Sequence, residues 1–328
     1  NLTATNLCGA DLSGSSFLAS GLSGSDISNS NLSRCNLEDT WIDRSKLIGS
    51  KLIGAKLTGS QLNDSDLSCS DLSLADLTGA HLNSANLTGA NLSQARLVGT
   101  DFTLATVKNA FLSNTSFLGS RLNWADMRDS RLQSCQFGRA ELFAADLSRS
   151  DLRGSDFTRA YLTRANLSGS IFSKCILDFA DMSYANLSGA DLKGIHFLNN
   201  QMNYADFSGA DLREASFYAV NAEGLIFHKA VLSSVVMDGM LLKGVDFSNA
   251  DMMGITISKA TLDNINLSGS DMRGANLTTV YLVDADLSGA NLEGIKYDDI
   301  TLPFIAVSNL SGTKMSPDLQ KDLREFLS

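Results

Sequence analysis

The chain has 328 residues, with 26 basic and 36 acidic side chains, a net charge of −10, 44% apolar and 7% aromatic content, two prolines and three histidines. The acidic balance excludes an ordinary DNA- or RNA-binding surface, which needs a basic face, and the lack of any run of 18 or more apolar residues excludes a transmembrane helix. So few prolines and histidines argue against a two-domain enzyme with mixed loops, and the first residues do not read as a signal peptide.

Cut into fives from residue 1, the sequence reads NLTAT, NLCGA, DLSGS, SFLAS and keeps its phase. The second positions, from Leu2 to Val307, number 62, and 60 of them are Leu, Ile, Val, Met or Phe; Ala222 and Tyr297 depart. A period of five matches neither the 3.6 of a helix nor the 2 of a strand. It requires a backbone that turns a corner every five residues. The fifth position is Ala, Ser, Thr or Cys in every block from Thr5 to Ala190, which predicts a tight interior beside each large central side chain. The first position is Asp or Asn in 30 of 62 blocks and Gly is frequent at the fourth, both suited to a repeated corner. A block with one large buried residue cannot fold alone, so blocks must stack.

Runs such as Ala85-Asn86-Leu87-Thr88-Gly89 and Ala185-Asn186-Leu187-Ser188-Gly189 resemble the pentapeptide-repeat family, over roughly residues 1–310. The resemblance implies an all-β fold: a right-handed quadrilateral parallel β-helix with four blocks per coil, the central residue and the small residue before it pointing inward. It also implies about 15 coils, which at about 4.8 Å each give a stack roughly 75 Å long. The expected domains are a repeat region, 1–310, and a C-terminal capping helix, 311–328. The repeat reads as ending at Leu310. Ser316-Pro317-Asp318-Leu319 then opens a helix, with Ser at the N-cap, Pro at N1 and an acid in the first turn. Leu319, Leu323, Phe326 and Leu327 share the face expected to cover the last coil. At the other end Asn1-Leu2 is already in phase, so protecting residues are expected before Asn1 and the chain reads as a piece of a larger protein.

Residues that carry chemistry are sparse. His81, His196 and His228 lie on different coils with no pairing that suggests a metal or a triad. Of the five cysteines, Cys35, Cys135 and Cys175 occupy the small inward column, while Cys8 and Cys69 do not. Cys135 and Cys175 are two coils apart, beyond the reach of a disulfide. No phosphate-loop motif is present, and the Asn-Leu-Ser/Thr sequons at Asn86, Asn166 and Asn266 are by-products of the repeat. A filled stack of coils without loops has no concave site for convergent groups, so no catalytic residue, cofactor or metal site is expected.

Blocks whose numbers agree modulo 20 should share one side of the coil. One side gathers the outward aromatics Trp41, Trp124, Phe143, Tyr161, Tyr184, Tyr204, Tyr281 and Phe304, either a partner surface or an aromatic ladder that stabilises the sheet. In the coil from Ile226 to Val245 the first positions are Ile226, Val231, Val236 and Leu241, and the small column enlarges to Leu225, Val235, Met240 and Val245. That coil is either a wider or differently turned core, or an apolar belt for a partner or for self-association. Residues 121–175 carry nine bases and six acids, +3, whereas residues 176–310 carry seven bases and 17 acids, −10.

Two functions fit these features. The first is a non-catalytic interaction scaffold for a protein partner or a second copy of itself. The chain would be bacterial, part of a larger or secreted effector protein, and located in the cytoplasm or, as an effector, in a host cell. It would bind no nucleic acid directly and have no transmembrane segment. The alternative, implied by family members that protect DNA gyrase from quinolones, is a DNA mimic that binds gyrase or topoisomerase. Against it, 18 of the 36 acids sit in the first-position Asp column, where the corner itself accounts for them, bases are interspersed on every side, and the projecting loops of some gyrase-protecting relatives are missing.

Overall fold

The computed structural model describes residues 2–328 and divides into two compact units, Asn1–Ile171 and Phe172–Ser328. In both, first-position residues form parallel bridges to the residue 20 further on, as in Asn31↔Lys51↔Asp71 and Asp206↔Ile226↔Asp246. Four blocks therefore close one coil, and each unit is a parallel β-solenoid with four sides.

The block sequence follows from where the backbone donors go. At Lys51–Ala55 the first N–H donates to Ser30 O of the preceding coil (2.9 Å), and the second and fourth donate to Asp71 O (2.7 Å) and Ser73 O (2.9 Å) of the next. The fifth N–H closes the corner on Leu52 O (3.0 Å). Only the third N–H is left out of this pattern, and a buried orphan donor is costly. The first-position Asp or Asn supplies the missing acceptor: Asp71 Oδ1 takes Ser73 N–H (3.0 Å) and Asn86 Oδ1 takes Thr88 N–H (3.1 Å). A fifth-position serine does a matching job for carbonyls, as Ser45 Oγ donates to Leu22 O one coil earlier (2.9 Å).

The fourth residue lies in the left-handed region whether or not it is glycine, with φ 62° at Gly54, 58° at Arg34 and 56° at Trp124. A corner closed from the fifth N–H to the second carbonyl with its third residue left-handed has the form of a type II turn. Glycine adopts it without steric cost, which explains its frequency there. The second and fifth residues point inward. In the first unit Phe117, Phe137 and Phe157 stack at 4.7 and 4.6 Å, and in the second Phe207, Phe227 and Phe247 stack at 5.2 and 5.1 Å, close to the coil spacing.

The second unit departs from the uniform corner. There the turn gives way to short strands: β1 (His196–Leu198), β2 (Ser216–Tyr218), β3 (Ala222–Glu223), β4 (Leu241–Lys243), β5 (Thr261–Asp263), β6 (Tyr281–Val283) and β7 (Asn291–Leu292). β1 pairs with β2, and β3-β4-β5-β6 form a parallel sheet on one side of the coil, in the register Leu241↔Thr261↔Tyr281. Leu225, Val245 and Ile265, the residues that follow β3, β4 and β5, are buried fifth-position side chains far larger than the usual Ala or Ser. A differently turned corner is therefore present at β4, while the other three corners of the Ile226–Val245 coil keep the ordinary turn.

The repeat does not run unbroken to Val307, nor does it end at Leu310. Leu302–Val307 form a helix, α1, and after it the pairing offset changes from 20 to 23, with Asp286↔Asn309 and Asn291↔Lys314. Asn309-Leu310-Ser311-Gly312-Thr313 is thus a further block, and β8 (Lys314–Met315) pairs with β7. Helix α2 (Pro317–Leu327) starts where the sequence places it, with Ser316 Oγ accepting Leu319 N–H at 3.4 Å. Leu319 and Leu323 are buried, but Phe326 and Leu327 of the same expected face are exposed. Tyr297, which departs from the central column, reaches sideways to donate its hydroxyl to Asp322 of α2 at 2.7 Å. Burial and this carboxylate push its pKa up to about 12.

Candidate interaction surface

In the first unit, Trp41 stands on the ladder Gly21↔Trp41↔Gln61, and Tyr161 on the ladder Arg121↔Glu141↔Tyr161. Trp124, at a left-handed corner, packs edge to face on Phe143 at 5.3 Å. Trp124 and Tyr161 remain 52% and 55% exposed, whereas the central residues Leu122 and Leu162 of the same blocks are fully buried. Trp41, 58% exposed, lies four coils from Trp124, roughly 19 Å at the usual strand spacing, so it does not join that patch.

In the second unit, Tyr184 and Tyr204 stack at 5.2 Å. A Cβ at Gly224 would lie 2.5 Å from Tyr204 Cδ1, so the ring rests on a corner that only glycine leaves open. The charge of Glu223, together with burial, raises the Tyr204 pKa. Tyr281 packs edge to face on Phe304 of α1 at 5.5 Å. The rings thus meet along the coil axis while Trp124, Tyr184 and Tyr204 stay about half exposed.

The four first-position apolar residues of the Ile226–Val245 coil stand on four different ladders, Asp206↔Ile226↔Asp246, Asp211↔Val231↔Asp251, Ser216↔Val236↔Thr256 and Leu241↔Thr261. They face four directions, and aspartates flank Ile226 and Val231 on both sides. Leu241 shares the β3–β6 sheet with Tyr281, separated by Thr261. Exposed apolar residues that sequence reasoning passed over include Tyr218 and Phe179 in the second unit and Leu74 and Leu104 in the first. Each occupies a third or fourth position, an outward column whose apolar members mark them in the sequence.

The scattered histidines and thiols stay apart. His196 Nδ1 and His228 Nδ1 each meet a serine of the next coil, Ser216 and Ser248, at 2.7 and 2.8 Å. Cys8 and Cys69 are exposed and Cys35, Cys135 and Cys175 are buried, and burial pushes the Cys35 thiol up in pKa. Among the described residues no three His, Cys, Asp or Glu side chains gather where they could hold a metal ion, and no helix is long and apolar enough to cross a membrane.

The corner carboxylates are held in place. Arg128, Arg153, Arg213 and Arg273 each fold back onto the aspartate two residues earlier, on Asp126, Asp151, Asp211 and Asp271. Burial pushes the Asp126 carboxyl up, but hydrogen bonds from Arg128 and Lys108 outweigh it and hold the pKa at about 2.

The family model described as pentapeptide repeats (8 copies) matches residues 1–39, 30–68, 45–83, 65–103, 95–133 and 257–294, and one described as a pentapeptide repeat region matches residues 150–227. The chain belongs to the pentapeptide-repeat family. Similar solved structures of pentapeptide-repeat proteins include HetL, involved in heterocyst differentiation regulation in the cyanobacterium Nostoc sp. strain PCC 7120. HetL is 27% identical, with 72% of this chain and 91% of that chain covered and a TM-score of 0.27. A trypsin-treated form of QnrB1, a plasmid-mediated fluoroquinolone resistance protein, is 22% identical over 66% of this chain and 95% of its own, with a TM-score of 0.29. A pentapeptide-repeat protein of the Arabidopsis thaliana thylakoid lumen is 29% identical over 35% and 69%, with a TM-score of 0.17. No curated protein sequence matches the chain.

Proposed function

We propose that this pentapeptide-repeat chain is a non-catalytic scaffold that binds a protein partner through the side of its first unit that carries Trp124, Phe143 and Tyr161. The observation that supports this most is the half-exposure of Trp124 and Tyr161 on one side of the first unit, while the central residues Leu122 and Leu162 of the same blocks are fully buried. Arg121 stands two coils from Tyr161 on one ladder, and Arg164 occupies the corner position two coils from Trp124. Trp, Tyr and Arg are the residue types that dominate binding energy at protein interfaces, because they bring large, rigid or charge-bearing area at low entropic cost. The DNA-mimic reading receives less support: corner carboxylates are engaged by turn N–H groups, and the arginines folded onto them interrupt any phosphate-like array.

Cross-linking of the intact chain in its native cells, followed by mass spectrometry, should yield a specific partner. Replacing Trp124 and Tyr161 together by Ala should weaken its binding at least about tenfold while circular dichroism stays unchanged. Equal partner yield from the double variant would overturn the assignment of this surface.

A further inference from the structure

Trp41 stands apart from the protein-binding patch and borders a trough of its own. One cavity of about 620 Å³ is lined by Thr3, Ser23, Asp43, Arg44, Asn63 and Asp64, together with Ala4 and Gly24. A second, of about 440 Å³, is lined by Thr3, Ser20, Gly21, Ser23 and Trp41, together with Ala19. Thr3 and Ser23 line both, so the two adjoin as one trough along the side that carries Trp41 and onto the corner at Ala19 and Ser20. Gly21, the ladder neighbour of Trp41, has no side chain, and the space this leaves is where the indole meets the second cavity.

The polar wall is oriented in advance. Asn83 N–H donates to Asn63 Oδ1 at 3.1 Å, which fixes the Asn63 amide with its nitrogen toward Asp43. Asp43 Oδ1 then accepts both Asn63 N–H (2.9 Å) and Asn63 Nδ2 (3.0 Å). This leaves Asp43 Oδ2 as an acceptor held in a set direction, with Ser23 of the preceding coil on the same wall. Arg44 and Asp64 face each other at 3.8 Å and offset one another's charge. Trp41 and Asp43 are the first and third residues of one block, the two outward positions of a single side.

From this geometry we infer that the trough binds a neutral oligosaccharide. A sugar ring has an apolar C–H face that suits an exposed indole and a rim of hydroxyls that need oriented donors and acceptors, and the trough offers both side by side. One net negative charge disfavours an anionic glycan. From Thr3 to Asn63 the trough crosses three coil spacings, roughly 14 Å, the length of a short oligosaccharide.

Trp41 and Trp124 are the two tryptophans of the chain, so Trp124→Phe leaves Trp41 as the sole indole reporter. Titrating that variant with cellohexaose, mannohexaose and xylohexaose should produce, for at least one, a saturable change in emission with a Kd of about 1 mM or tighter. Calorimetry on the otherwise native chain should show the same binding, lost in Trp41→Ala, weakened about tenfold or more in Asp43→Ala, and unchanged in Tyr161→Ala. No response to any of the three sugars at about 10 mM in either measurement, or equal binding by Trp41→Ala, would overturn the assignment. The Tyr161→Ala arm separates this outcome from failure of the protein-binding surface.

Discussion

Residues 2–171 and residues 172–315 run the same five-residue repeat through different corners. In the first unit the fifth N–H closes back on the central carbonyl nearly throughout, or donates to a serine of the next coil, as Ser130 N–H does to Ser150 Oγ at 3.2 Å. In the second, several corners around the β3–β6 side open into strands. Interior volume explains the start of this change. Ala222 is the one alanine in the central column, and Leu225, three residues on, supplies the missing bulk from the fifth position. Size alone does not decide the corner, because Ile195, Val235 and Ile255 keep the closed turn at 3.1 Å while small Ala285 follows an opened strand. Stacked coils share a hydrogen-bond ladder, so one opened corner imposes its shape on its neighbours.

The sharpest test of the closed-corner unit is Leu152→Asp. Leu152 is fully buried, and the interior beside it has neither room nor partner for a carboxylate, so a loss of at least about 4 kcal/mol is expected. Hydrogen exchange should show protection lost first in the coils next to residue 152; unchanged melting would break the inward assignment of the central column.

The open-cornered unit is tested by Leu225→Ala, which should cost about 2–5 kcal/mol in urea unfolding. The swap Ala222→Leu with Leu225→Ala restores the ordinary block and should recover most of that loss. A swap as unstable as the single variant would show that the open corner is set by its neighbours and not by the volume exchanged.

The smallest effect is electrostatic. Asp126 in the first unit is held by both Lys108 and Arg128, whereas Asp211 in the second has its folded-back Arg213. The Asp126 pKa of about 2 lies below the unfolded value near 3.9. Its contribution is therefore complete above about pH 4 and is lost as pH falls toward 2. Allowing for solvent screening, this amounts to about 1 kcal/mol. Asp126→Asn should remove that part of the acid sensitivity between pH 5 and pH 2.5 in urea titrations; an unaltered pH profile would remove the ion pair from the account.

The repeat, its inward columns and the start of α2 at Ser316 were legible because each block repeats the same local solution, and a cap needs only its own residues. The phase shift of three at α1 was hidden because Leu302 and Val307 happen to keep the apolar spacing while serving a helix. On the surface, the sorting by twenties brought Trp41, Trp124 and Tyr161 to one side. The same sorting put Ile226, Val231, Val236 and Leu241 on four sides and Trp41 four coils from Trp124; what it left open is which rings meet. Nor did it reveal the trough, which depends on Gly21 leaving space and on Asn63 orienting Asp43 across coils.

By itself, then, the amino-acid order determined the coil: one large residue inward, one small residue beside it and one Asx for the donor that stacking leaves unpaired, a set of needs met within five residues. Which corners open, where the chain skips three residues, and which outward side chains meet were decided by tertiary structure. Those outcomes depend on congruence between coils twenty residues apart.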